Sequence, residues 1–179
     1  WAGREPQIVL SGPLQLAVMT ARLVNGGRAV VPRMTRPAVM RENQPTPRRD
    51  LFPALGISPQ TLAAVRDGMS AVVNEQGGTA YAIRVRDADM AIGGKTGTAQ
   101  VRRISMAERE RGVRRNEDLA WRARDHALFV GYGPVEAPRY AVAVVVEHGG
   151  GGSSVAAPIA RDILVETMRR DPARVVPPS

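Results

Sequence analysis

The run from Tyr140 to Glu147 constrains the fold more than any other stretch of this chain. Val142, Val144 and Val146 fall on one face of an extended strand, and Ala141, Ala143 and Val145 fall on the other. A strand that is apolar on both sides needs cover on both sides, so it must lie between helices or beneath another layer. His126 to Tyr132 is a second strand-like run, and Pro134 to Pro138 supplies the turn that joins the two into an antiparallel hairpin.

The covering helices are legible on either side. Pro13 to Asn25 reads as a helix, with Pro13 suited to the first helical position and Asn25-Gly26-Gly27 as a left-handed stop. Its apolar residues occupy nearly every face, which predicts a buried helix. A second helix is expected from Ser58 to about Gln76, capped by Ser58 and opened by Pro59. Leu62, Val65, Met69 and Val72 form its inward stripe. A last helix spans roughly Val155 to Arg170, with Pro158 tolerated in its first turn and Ser153-Ser154 as its cap. Between them Ala91 to Val101 is extended, and Arg102 to Asp125 reads as a mobile, charged loop. Val30 to Pro53, rich in Pro and Arg, reads as an irregular connection, and the tail from Asp171 as frayed. The order predicts an α+β fold, an antiparallel sheet flanked by helices.

Composition excludes several kinds of chemistry. Apolar residues make up 44% of the 179 positions, enough for a core, while aromatics are only 4%, so Val, Ala, Leu, Ile and Met must build it. Cysteine is absent, which removes disulfides, thiol nucleophiles and Cys-ligated zinc. The net charge is +8, and 24 of the 25 basic residues are arginine; we attribute this bias to GC-rich codon usage rather than to a polyanionic partner. The arginines of the 102–125 loop are interleaved with Glu108, Glu110, Glu117 and Asp118, so no nucleic-acid partner is expected. No apolar run has the length of a membrane span. The chain opens on Trp1 rather than Met, and upstream sequence is expected to precede it.

Gly93-Gly94-Lys95-Thr96-Gly97-Thr98 is the stretch that ordinary strand structure explains least. Glycines on both sides of a charge weaken a strand and mark close approach by a ligand or another backbone. Lys95 is the sole lysine, so a compact ammonium is wanted there and a guanidinium is not. Thr96 and Thr98 alternate about Gly97, which places both hydroxyls on one face. A cation, two hydroxyls and accessible backbone N–H groups along one strand suit a carboxylate and an oxyanion forming beside it. The alternative is an exposed strand with a solubilising edge charge. A phosphate loop is excluded, because the glycine required before the Lys-Thr pair is missing at Asp89 and Met90.

Lys95-Thr96-Gly97 resembles the third motif of the serine penicillin-recognising enzymes, whose other two are Ser-x-x-Lys and Ser-x-Asn. The likeness extends over essentially the whole chain, in order. Pro13-Leu14-Gln15-Leu16-Ala17 with Asn25-Gly26-Gly27 resembles the helix that precedes this motif in the monofunctional (class B) penicillin-binding proteins. Gly77-Gly78-Thr79-Ala80 resembles their helix end, His126 through Val146 their hairpin, and Ala156-Ala157-Pro158-Ile159-Ala160 their terminal helix. The resemblance is to the elongation-type branch of that family.

It implies that the chain, 1–179, is the C-terminal portion of a transpeptidase domain of the penicillin-binding and serine β-lactamase-like fold, lacking its upstream strands. The complete enzyme would cross-link peptidoglycan stem peptides ending in D-Ala-D-Ala and bind β-lactam antibiotics. It would work beside a membrane-embedded glycosyltransferase at the periplasmic face of the bacterial inner membrane, without a cofactor. Lys95 would hold the substrate carboxylate and tune the protons around the nucleophile. Thr96 and Thr98 would hydrogen-bond that carboxylate, and the Thr98 N–H would supply half of the oxyanion hole. The strand edge through Gly97 would pair with the peptide.

The other two motifs are missing. The position three before Lys95 is Ile92, and no serine is followed two residues later by asparagine. Without the acyl-accepting serine there is no covalent intermediate, so the chain alone is expected to be inactive. The residues before Pro13 also depart from the family pattern. Two other readings fit the motif: a non-catalytic penicillin-binding-like module, and a serine β-lactamase fragment, which the match over Pro13 to Gly27 disfavours. His126 and His148, at the two ends of the hairpin, are expected to be structural.

Overall fold

The computed structural model describes residues 12–32, 53–102 and 104–171. The altered junction before Pro13, most of the irregular connection and the tail beyond Asp171 lie outside the described residues. Within them the chain runs through helix α1 (Pro13–Val24), helix α2 (Pro59–Asn74), strand β1 (Gly93–Ala99), a short helix α3 (Met106–Arg111), strands β2 (His126–Gly133) and β3 (Tyr140–Val146), a π-helical turn (Gly152–Ala156) and helix α4 (Ala157–Arg170). The three strands form one antiparallel sheet in the order β1-β2-β3. Helices lie against it, and the expected α+β architecture is the one observed.

The sheet is held by two aromatic rings on β2 that point to opposite faces. Phe129 is 1% exposed and packs with Ala127, with Ala156, Ala157, Ala160 and Leu164 of the C-terminal helical segment, and with Val73, Ala80, Ile83 and Ile92. Tyr132 is fully buried against Val24 of α1 and Met69 of α2, and its hydroxyl donates to the Arg66 carbonyl at 3.3 Å. Burial pushes the Tyr132 phenol above its ordinary pKa. Both rings need glycines opposite. A Cβ on Gly94 would stand 2.3 Å from Phe129 Cζ, one on Gly131 2.7 Å from Phe129 Cε1, and one on Gly93 2.7 Å from Tyr132 Cε1. Gly94 and Gly131 are cross-strand partners, so the Phe129 ring covers a slot made by the pair.

The flanking elements differ from expectation in three respects. The α1 helix is not buried all round: Thr20 and Val24 are its buried residues, while Leu14 is 53% and Met19 45% exposed. It rests on β3 and β2 with one side, and its outer side, with Pro32, Leu55 and Ile57, borders an open apolar groove of about 450 Å³. The inward stripe of α2 is Leu62, Met69 and Val73, whereas Val65 is turned to solvent. Ser58 caps α2 as expected, its Oγ accepting from Thr61 N–H at 3.2 Å. Ser153 and Ser154 do not cap α4. They lie inside the π-helical turn, and neither that turn nor α4 has a side-chain cap.

The doubly apolar strand is covered as its sequence requires, with α1 and α4 both packed on β3. It is also a terminal strand of the sheet, so its outer edge is unpaired among the described residues.

Replacing Gly94 by Ala should force the Phe129 ring to move and lower stability by about 1–3 kcal/mol, the usual cost of overpacking. Urea unfolding of Gly94→Ala beside Gly97→Ala, where the nearest atom is Leu128 Cβ at 3.3 Å, tests this; equal midpoints would refute the slot.

Candidate functional site

β1 is the other terminal strand of the sheet, paired with β2 on one side and open on the other among the described residues. Its burial falls along its length, from buried Gly93 and Gly94 to exposed Thr98 and Ala99. Pleat alternation puts Thr96 and Thr98 on the face of Phe129 and Lys95 on the opposite face. The amine and hydroxyls therefore do not share a face, but the long Lys95 stem brings them to one edge: its Nζ donates to the Thr96 carbonyl at 2.8 Å. A carbonyl reached in this way is turned toward the open edge. Alternate residues of an antiparallel strand direct both backbone groups the same way, so the peptide groups of Thr98 share that direction. Lys95, Thr96, Gly97 and Thr98 thus present an ammonium, two hydroxyls and unpaired backbone groups along one edge.

The glycines of this segment divide by role. Gly93 and Gly94 receive aromatic rings, which is structure rather than ligand approach. Gly97 does meet another backbone: a Cβ on Gly152 would lie 2.3 Å from the Gly97 carbonyl oxygen and 2.9 Å from its nitrogen. The π-helical turn therefore rests directly on the motif strand.

Three supports around the strand were not singled out from the sequence. Asn74, at the end of α2, donates through Nδ2 to the Ile92 carbonyl at 3.0 Å and also to Ser70 O and Oγ. Ser70 and Asn74 are too far apart in sequence for Ser-x-Asn, but their four-residue spacing on a helix makes them neighbours, and that spacing was the available signal. Thr79 Oγ1 lies 3.1 Å from Thr96 Oγ1. Gly152 is the third.

Beyond β1 the chain has local order. Glu108 in α3 is bound by both guanidinium nitrogens of Arg102, at 2.6 and 2.7 Å. Asp125 Oδ2 accepts from Asn116 Nδ2, and the Asp125 backbone N–H donates to Asn116 Oδ1. The histidines meet at the base of the hairpin. His126 Nδ1 accepts from the His148 backbone N–H at 2.8 Å, His148 Nδ1 contacts the Arg124 carbonyl at 2.9 Å, and Trp121 packs edge-on to His148. Each ring engages one nitrogen, Nδ1, in these local contacts, in keeping with structural strand-end histidines. Among the described residues no cluster of side chains could hold a metal ion, and no helix is long and apolar enough to cross a membrane.

An antiparallel sheet whose open edge carries Lys-Thr-Gly-Thr, backed by helices, defines part of a penicillin-recognising serine transpeptidase fold. Residues 9–165 match the family model of the penicillin-binding protein transpeptidase domain, and the chain belongs to that family. It is 37% identical over 157 residues to the peptidoglycan D,D-transpeptidase MrdA of Haemophilus influenzae and 36% identical over 172 residues to that of Acinetobacter baumannii. These alignments cover 85% and 90% of this chain but 23% of each relative. Among solved structures it is similar to Pseudomonas aeruginosa penicillin-binding protein 2 in complex with WCK 5153, with a TM-score of 0.61 and 33% identity over 89% of this chain and 30% of that one. It also resembles the Helicobacter pylori penicillin-binding protein 2 in a complex with MreC, with a TM-score of 0.65 and 26% identity over 92% and 26%. The chain spans about a quarter of the length of these relatives.

The Arg102 hydrogen bonds hold the Glu108 carboxyl well below its ordinary value of 4.5, at about 2. A depressed folded-state pKa contributes stability that is complete above the unfolded value and lost as pH falls through the folded one. Helical backbone chemical shifts of 106–111 should therefore persist at pH 5 and fade between pH 4.5 and 2. Glu108→Gln should weaken them already at neutral pH; an acid-insensitive α3 in the native chain would refute the clasp.

Proposed function

We propose that this chain is the substrate-holding, C-terminal portion of a D,D-transpeptidase that cross-links peptidoglycan stem peptides through an acyl-serine intermediate. The observation that carries this reading is the open edge of β1. An extended peptide can add to it as a further strand, its terminal carboxylate meeting the Lys95 ammonium and the Thr96 and Thr98 hydroxyls.

In this reading Lys95 neutralises the D-Ala carboxylate and biases the protons around the attacking hydroxyl. The Thr98 N–H, turned to the open edge, donates to the oxygen on which negative charge develops during acyl transfer. Gly97 keeps that edge free of side-chain bulk. A β-lactam, which also places a carboxylate beside a strained acyl group, takes the same place. The serine that attacks and the lysine that activates it come from outside these 179 residues, since neither Ser-x-x-Lys nor Ser-x-Asn occurs among them. The chain alone is therefore inactive. The complete enzyme works at the periplasmic face of the inner membrane, with a membrane-embedded glycosyltransferase of the elongation machinery. The names of its relatives support a transpeptidase over a β-lactamase or a non-catalytic module.

A fluorescent penicillin should label the intact gene product and leave the isolated 179-residue chain unlabelled on a denaturing gel. An antibody to the chain should detect a much larger, membrane-associated protein. Lys95→Ala in the intact product should slow acylation by roughly 10²–10³, the usual loss when a preorganised electrostatic contact is removed. Stable acylation of the isolated chain, or a native soluble band of its own size, would overturn the proposal.

A further inference from the structure

We infer that Thr79 is a positioning residue for the Lys-Thr-Gly strand, and that it acts by orienting the hydroxyl of Thr96; this rests on the reading of β1 as the carboxylate-holding edge. The two hydroxyl oxygens are 3.1 Å apart, across 17 residues of sequence. A threonine hydroxyl has one proton to give and two lone pairs to receive with. If Thr96 spends its proton on Thr79, none remains for an anion at the open edge. If Thr79 donates to Thr96, the Thr96 proton is free to point outward, and the accepted bond polarises it toward an incoming carboxylate. Thr79 thus decides what Thr96 can offer.

The placement of Thr79 is built rather than incidental. The turn that carries it is tied back to α2 by the Ala80 N–H to Val72 O hydrogen bond and closed by Gly78 N–H to Glu75 O and Tyr81 N–H to Gly78 O, each 3.0 Å. Gly77 takes φ +91°, which favours glycine. Gly78 passes so near α2 that a Cβ there would lie 2.4 Å from the Val72 carbonyl oxygen. Directly after Thr79, Ala80 is 2% exposed in the Phe129 core. A β-branched side chain on such a turn has little rotamer freedom, so its hydroxyl is delivered to one place. Asn74 at the end of α2 holds Ile92, the residue before β1, and Thr79 in the following turn meets Thr96, so this segment is gripped at two points four residues apart.

The test is a double-mutant cycle in the intact gene product, read as the second-order rate of acylation by a penicillin, with the thermal midpoint measured alongside. Thr79→Val should lower the rate by about 3- to 10-fold, the range one net hydrogen bond supports. Its thermal midpoint should change little, because Thr79 is exposed. Thr79→Ser should restore the rate. In a Thr96→Val background the Thr79→Val change should have no further effect, because the group it orients is gone. A wild-type rate for Thr79→Val, or a loss of equal size in the Thr96→Val background, overturns the inference and leaves the carboxylate-holding edge standing. A wild-type rate for Thr96→Val shows that the Thr96 hydroxyl holds no anion and overturns the inference, while the edge reading stands or falls on Lys95→Ala.

Discussion

One aromatic ring organises this structure. Phe129 lies over the cross-strand pair Gly94 and Gly131, and nothing larger than hydrogen fits beneath it on either strand. On its other side the same ring meets the small-residue surface of Ala156, Ala157 and Ala160 with Leu164. Small residues let α4 approach the sheet closely, and the ring fills the space they leave. The motif strand is thereby registered against β2, and β2 against the helix. Because Gly94 immediately precedes Lys95, the position of the ammonium follows from the packing of a phenyl group beside it.

A second constraint is that both terminal strands of the sheet are open among the described residues. The two edges are chemically unlike. β3 is a ladder of valine and alanine that only another strand of a protein core would suit. β1 carries a cation, hydroxyls and glycine, and falls off into solvent. An open hydrogen-bonding edge can pair with any extended chain, and at β1 it is bordered by Lys95, Thr96 and Thr98, with Thr79 behind Thr96 and Gly152 behind Gly97.

Much of this was legible in the residues. The three strands follow from alternation and turn chemistry, Ser58 and Pro59 announce α2, and the lone lysine among arginines draws the eye to the open edge of β1. What escaped has a common cause. Helix periodicity records how many faces are apolar but not how many neighbours exist to cover them, so α1 looked buried and is covered on one side. Ser153 and Ser154 sit where a cap belongs, yet the Gly152 backbone is pressed onto Gly97, and the chain enters α4 through a π-helical turn instead. Thr79 carries no local signature and Asn74 only its helical spacing from Ser70, because what they do at β1 arises from contacts 17 and 18 residues away. The glycines around Lys95 read as close approach by a ligand or another backbone; Gly97 does meet the Gly152 backbone, whereas Gly93 and Gly94 make room for aromatic rings.

The solitary lysine has a practical corollary. With 25 basic side chains and one primary amine among them, the chain separates charge from nucleophilic amine chemistry almost completely. Guanidinium groups supply the positive field and stay inert toward mild acylating and aldehyde reagents. A reagent that reacts with side-chain amines has one address here, and it is the edge of β1. The residue that singles out the site in the sequence also makes it chemically addressable in the folded protein.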